Sequence, residues 1–256
     1  MNILCVGDVT GTVGINFLSS KLPALKRLKK IDLVIVNGEN SADTNGITPN
    51  SARALFDAGA DVITTGNHSF QRKESYDMYE EEDYVLRPAN YPSKAPGHGW
   101  CEVDMGAVRV RVINLMGNVN MQQTLDCPFA LAKKLLEESS ARINIIDLHA
   151  EATGEKRAFA FYLDGTVSAI FGTHTHVQTA DEQVLPKGTG YITDVGMTGP
   201  VQSCLGARPE AAIEKMTTQM PVRLDFADGE CMMNAVLFDI DEKTGLCRST
   251  ERLDIR

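Results

Sequence analysis

VSAIFGTHTHVQ, residues 167–178, runs from an apolar segment straight into two histidines separated by one threonine, in a chain that has only five histidines. Short apolar, β-branched runs that end on polar or glycine-rich turns fit strands buried on both faces. The same grammar recurs in NILCVGD (2–8), DLVIVNGEN (32–40), DVITTGNH (61–68), RINIIDLHA (142–150) and GYITDVG (190–196).

Helical signals fall between these runs. TPNSARALFDAG offers Thr48 as N-cap, Pro49 at the first helical position and Gly59 as terminator. DCPFALAKKLLEESS offers Asp126 as a cap, with Phe129, Ala132, Leu135 and Leu136 on one face. GINFLSSKLPALKRLKK is a third helix, which Pro23 is expected to kink or split. Strand and helix in alternation mean right-handed crossovers and an α/β fold. Two regions break the rhythm: VDMGAVRVRVINL (103–115) reads as a hairpin around Gly106, and the C-terminal segment has turn signals at Asp228-Gly229 and Thr244-Gly245 between strand-like stretches. The expected architecture is therefore α/β with mixed sheets, two of them packed face to face and flanked by helices. No repeat, low-complexity block or long linker interrupts residues 1–256, so one domain is expected.

The formal charge of −9 argues against broad nucleic-acid binding, which rewards basic surface. Cys5, Cys101, Cys127, Cys204, Cys231 and Cys247 include no Cys-x-x-Cys pair and read as reduced, buried thiols of a cytoplasmic protein. MNILCVGDV reads as a strand rather than a leader, and no apolar stretch approaches the roughly 20 residues of a membrane span. Self-association stays open; Met232-Met233 could serve an interface but reads more simply as buried strand.

In open α/β sheets, ligands collect at the carboxyl ends of strands. The polar residues there are Asp8, Glu39, Asn40, Asn67, His68, His149, His174 and His176. Each has an ordinary explanation by itself: Asp8 as a turn former, Glu39-Asn40 as solvated loop, Asn67-His68 as a tight turn, His149 as a hydrogen-bonded core histidine. Their repetition at successive strand ends outweighs those explanations. Residues i and i+2 of an extended segment point the same way, so His174 and His176 are expected to converge on one object. Imidazoles, carboxylates and amide oxygens sharing one crevice point to bound metal. His98, in a Pro/Gly-rich loop, is left out of the site.

The order GDV (7–9), NGEN (37–40), GNH (66–68), LHA (148–150) and GTHTH (172–176) resembles the calcineurin-like metallophosphoesterases. DLHAEATGEK (147–156), GTHTHVQTAD (172–181) and ITDVGMTGP (192–200) extend the likeness to the YmdB-like subfamily. There are two departures from the superfamily pattern: Thr10 stands where Asp-x-His has its histidine, and Glu39 followed by Asn40 replaces the usual bridging Asp. The resemblance implies a sandwich of two mixed sheets flanked by helices, and a cyclic-nucleotide phosphodiesterase with two metal ions, typically iron. It assigns Asp8 and His176 to the first metal, with Asn40 standing in for the missing histidine. Asn67, His149 and His174 hold the second, Glu39 bridges, and His68 is catalytic without binding metal.

Such a site suits phosphodiester hydrolysis. Two cations about 3.5–4 Å apart share a nucleophilic hydroxide and neutralise the phosphoryl oxygens, and His68 protonates the departing oxygen as general acid. The nitrogen and oxygen donors accept Fe, Mn or Zn. The expected substrate is a 2′,3′-cyclic nucleotide, with the loops 116–128 and 196–209 as base and ribose walls. A phosphomonoesterase or phosphoprotein phosphatase on the same centre is the alternative enzyme, and a metal-bound, RNA-associated regulator the alternative binding protein.

Overall fold

The computed structural model describes all residues, Met1–Arg256. In chain order, β1 (Asn2–Val6) and β2 (Asp8–Val9) lead into α1 (Gly11–Lys29), followed by β3 (Leu33–Asn37), α2 (Pro49–Ala58), β4 (Val62–Thr64), α3 (Ser75–Glu81) and β5 (Val85–Leu86). Then come β6 (Trp100–Asp104), β7 (Arg109–Met116), α4 (Pro128–Glu137), β8 (Ile143–His149), α5 (Thr153–Leu163) and β9 (Ala169–Thr173). The remainder holds β10 (Gln183–Val184), β11 (Gly190–Ile192), β12 (Met197–Pro200), α6 (Pro209–Thr218), β13 (Cys231–Ile240) and β14 (Cys247–Ile255).

The strands form two mixed sheets. An eight-stranded sheet has the order β2-β12-β13-β1-β3-β4-β5, with β14 also on β13; a six-stranded sheet has the order β10-β11-β9-β8-β7-β6. β1, β3, β4 and β5 run parallel, as do β7, β8, β9 and β11, and antiparallel strands complete each sheet.

Strand alternation sorts the apolar residues into layers. Ile3, Cys5, Leu33 and Ile35 meet Val110, Val112, Ile143 and Ile145 between the sheets. Their neighbours Leu4, Val6, Val34 and Val36 pack against Leu18, Leu22 and Leu55 of α1 and α2. On the other side Ile113, Leu115, Ile146 and Leu148 pack against Ala132, Leu135 and Phe159 of α4 and α5. Both faces of each central strand are therefore buried, which is why these strands read as unbroken apolar runs.

The capping at α2 is as expected: Thr48 accepts from Ser51 N, Pro49 opens the helix and Gly59 closes it at φ 111°. The hairpin turns at Gly106 and Gly245 also form, both at positive φ. Other readings are corrected. α1 runs unsplit through Pro23, because Leu18, Leu22 and Leu25 bury both halves of its apolar face. Asp126 does not cap α4; Pro128 at the first helical position makes Cys127 the cap residue, and Asp126 is strapped by its backbone to Asn90. The stretch before Asp228-Gly229 forms no strand, only an isolated bridge between Ala207 and Phe226. All six cysteines are free, but Cys127 and Cys204 are exposed rather than buried, both lying in loops. Met233 is buried in β13 and Met232 half-buried. No helix is long and apolar enough to cross a membrane.

Candidate metal centre

The carboxyl ends of β3 and β4 in one sheet face those of β8 and β9 in the other, and β2 brings Asp8 to the same rim. Close packing at this rim requires residues without side chains. A Cβ on Gly66 would lie 2.2 Å from the His149 ring, and one on Gly172 would lie 1.9 Å from the Thr193 carbonyl oxygen. Gly66 thus lets the Asn67-His68 segment meet His149, and Gly172 lets β9 lie close to Thr193 just before the Thr173-His174 turn.

Six side chains converge in two groups around Glu39. His149 Nε2 lies 2.8 Å from Asn67 Oδ1, 3.1 Å from His174 Nδ1 and 3.3 Å from Glu39 Oε1. The ligand atoms of Glu39, His149 and His174 all lie within 4.8 Å of one another. On the other side, His176 Nε2 lies 3.5 Å from Asp8 Oδ1 and 3.2 Å from the Asn40 amide. His68 sits at the rim: its Nδ1 is 3.0 Å from Asn40 Oδ1 and 3.3 Å from Glu39 Oε1, and its backbone N–H donates to Glu39 Oε2.

The two histidines of the opening stretch enter separate groups rather than one, and they do so from left-handed backbone rather than strand pleating. β9 ends at Thr173, and His174 and His176 adopt φ of 104° and 62°. Non-glycine residues in that region cost about 1–3 kcal/mol each and persist only where their surroundings over-determine them. Thr10 is fully buried and donates to the Thr198 carbonyl, so its hydroxyl serves β12 rather than the site. Asn40 occupies the place beside His176 instead.

Each imidazole commits one nitrogen to a group outside the centre and turns the other inward. His149 Nδ1 meets the Thr173 hydroxyl at 2.9 Å, His174 Nε2 meets Glu151 Oε2 at 3.2 Å, and His176 Nδ1 donates to the Leu205 carbonyl at 2.9 Å. The Thr173 hydroxyl donates on to Asp147 Oδ1, and Asp147 Oδ2 accepts from Thr64 and Asn37. Metal-binding histidines are oriented by such outer partners. Thr173 and Glu151, which touch these imidazoles, and Asp147 behind Thr173 are residues the sequence left unassigned; DLHAEATGEK marked the segment, but a contact through another side chain has no local signature.

The charges fit a cation. Asp8 Oδ1 is buried without a hydrogen-bond partner. Burial would raise both carboxyls, but the histidines around them outweigh it: His176 and His149 lower Asp8, and His149 and His68 hold Glu39 well below its usual range. Burial opposes charge on His149, yet Glu39, Asp8 and Asp147 raise it to about 9. Burial and the His149 charge lower His174 to about 4. A proton on His149 therefore stands among acceptors, Asn67 Oδ1 and Glu39 Oε1, that a metal ion would satisfy together. Burial drives Asp147 up to about 7.

The centre opens into a cleft of about 790 Å³. Of the two expected walls, the 196–209 segment contributes Cys204, Leu205 and Ala207, whereas 197–200 is strand β12. The cleft is also lined by α6 and by Val222, Arg223, Leu224 and Phe226, which the sequence did not nominate. The 116–128 loop reaches the centre through Gln123, whose amide donates to the Asn67 carbonyl.

Comparison with known proteins agrees with this geometry. The chain is 44% identical over 255 residues to the 2′,3′-cyclic-nucleotide 2′-phosphodiesterase of Bacillus subtilis (strain 168), covering 99% of this chain and 96% of that one. A crystal structure of a hypothetical protein from Thermus thermophilus superposes with a TM-score of 0.93 at 38% identity over the whole of both chains. The crystal structure of a phosphatase from Mycoplasma pneumoniae gives 0.94 at 34% identity, covering 100% of this chain and 93% of that one. The profile of the family described as "YmdB-like protein" matches residues 4–253, and the chain belongs to that family of metallophosphoesterases.

Proposed function

We propose that the protein is a metal-dependent phosphodiesterase that opens 2′,3′-cyclic nucleotides. The observation that carries this reading is the convergence of Glu39, His149 and His174 from the two sheets, beside the buried Asp8 Oδ1, which lacks a hydrogen bond and lies 3.5 Å from His176 Nε2. Asp8, Asn40 and His176 hold one cation, Asn67, His149 and His174 a second, and Glu39 lies between them. Bound there, the cations supply Lewis acidity to the phosphoryl group and activate water at neutral pH. Iron is the native metal we infer, on the family resemblance; manganese and zinc suit the same donors.

His68 is the general acid. Asn40 Oδ1 and Glu39 engage its Nδ1, leaving its other nitrogen for the cleft. Water attacks phosphorus, one ring P–O bond breaks, and the proton of His68 goes to the departing ribose oxygen. The Bacillus relative is by name a 2′-phosphodiesterase; the same cleavage here leaves a 3′-phosphate. A cytoplasmic location fits the six free thiols.

Elemental analysis of the purified protein, combined with hydrolysis of 2′,3′-cAMP and p-nitrophenyl phosphate, tests the reading. Two metals per chain and release of 3′-AMP are expected. Faster cleavage of p-nitrophenyl phosphate would make the protein a phosphomonoesterase, and a metal-free, inactive protein would end the proposal.

A further inference from the structure

Two of the segments that carry the family likeness, DLHAEATGEK and ITDVGMTGP, contribute residues that hold no metal. Lys156, from the first, and Asp194, from the second, form an ion pair in which Nζ and Oδ2 are 2.7 Å apart and each side chain is 1% exposed. The pair is joined to the backbone of the third segment. Lys156 Nζ donates to the Thr173 carbonyl at 2.8 Å, and the Thr175 N–H donates to Asp194 Oδ2 at 3.1 Å. These two backbone groups flank His174, the residue at φ 104°. Asp194 is itself fixed, because its Oδ1 accepts from Gly196 N and its own N–H donates to Thr179 Oγ1.

A buried ion pair is a poor way to hold a helix on a sheet, since desolvation offsets most of the attraction and apolar residues of equal volume serve as well. What apolar residues lack is a donor for one peptide and an acceptor for the next. Here the cation takes the C=O before His174 and the anion takes the N–H after it, so both peptide planes around that residue are fixed.

We propose that Lys156 and Asp194 are positioning residues that lock the His174–His176 turn in its metal-binding shape. The inference rests on the metal-centre reading above. The adjacent Glu155 serves a different segment, accepting from Asn118 N and Val119 N.

The test is titration of chelator-treated protein with Mn²⁺, followed by calorimetry, with circular dichroism as the check on folding. Lys156→Met combined with Asp194→Asn removes both charges together and leaves no unpaired buried ion. The double variant is expected to fold and to bind Mn²⁺ about 10–100-fold more weakly, the loss typical of disturbed outer-shell support. Should it not fold, Lys156→Arg keeps the charge but cannot put one nitrogen on both acceptors, and the same direction of change is expected. Phe161→Ala, at a half-exposed position of the same helix, is expected to leave Mn²⁺ affinity at the wild-type value. Wild-type affinity in the folded double variant or, failing that, in Lys156→Arg overturns the inference, as does an equal loss in Phe161→Ala, which would indicate general loosening of α5. If the wild-type chain itself takes up no Mn²⁺, the metal-centre reading falls and this inference with it.

Discussion

Thr173 Oγ1 lies 2.9 Å from His149 Nδ1, and through it the imidazole is linked to the buried carboxylate of Asp147. With Nδ1–H directed at the hydroxyl, Nε2 presents its lone pair to the centre. Thr173→Val removes the link at nearly constant volume. Metal affinity should fall about 10–100-fold, read by Mn²⁺ titration of the folded variant; unchanged affinity would show that packing alone orients His149.

His68 touches Asn40 and Glu39 but is placed at the rim, half-exposed to the cleft. His68→Ala should keep both metals while turnover of 2′,3′-cAMP drops about 10²–10⁴-fold. Elemental analysis beside steady-state rates checks this. Intact turnover would remove His68 from the proton-transfer role. Glu39→Ala, by contrast, should lose metal as well as activity.

Gly66 has no room for a methyl group, because its Cβ would overlap the His149 ring. Gly66→Ala should force the imidazole or the 66–68 turn aside, at a cost of about 1–3 kcal/mol as in other overpacked sites. Reduced metal content together with a lowered thermal midpoint is the expected result. Wild-type metal content would mean that the turn relaxes without disturbing His149.

Metal that binds only the folded chain stabilises it by mass action, by about 2.7 kcal/mol when free metal is 100 times the dissociation constant. Thermal midpoints should climb with added Mn²⁺ and return on chelation. A midpoint indifferent to metal would contradict a centre built from residues of both sheets.

Acid stability should depend on Asp181. Burial alone would raise its pKa, but hydrogen bonds from Thr193 and Thr179 lower it from the ordinary value. A carboxyl depressed in the folded state contributes stability above its unfolded pKa of about 3.9, and that contribution is lost as pH falls through the lower, folded value. Asp181→Asn should therefore narrow the stability gap to wild type as pH drops below about 4. A gap that is constant with pH, in urea unfolding, would assign the effect to the hydrogen bonds alone.

The strand runs were legible from residue order alone, because burial on both faces leaves an apolar signature that needs no partner to be read. The residues that gather at the rim were legible too, since strand ends in an α/β fold fall where such runs stop. So was the local chemistry at Thr48, Pro49 and Gly59, whose roles depend only on neighbouring backbone. Long-range packing settled what remained. Pro23 stays within α1 because its helix face is packed, and His174 and His176 reach their separate groups through left-handed backbone rather than strand alternation. The support from Asp147, Glu151, Lys156 and Asp194 and the α6 wall of the cleft had no trace in the residue pattern. Each depends on contacts between segments far apart in the chain, and no local pattern encodes which distant backbone group a buried side chain will meet.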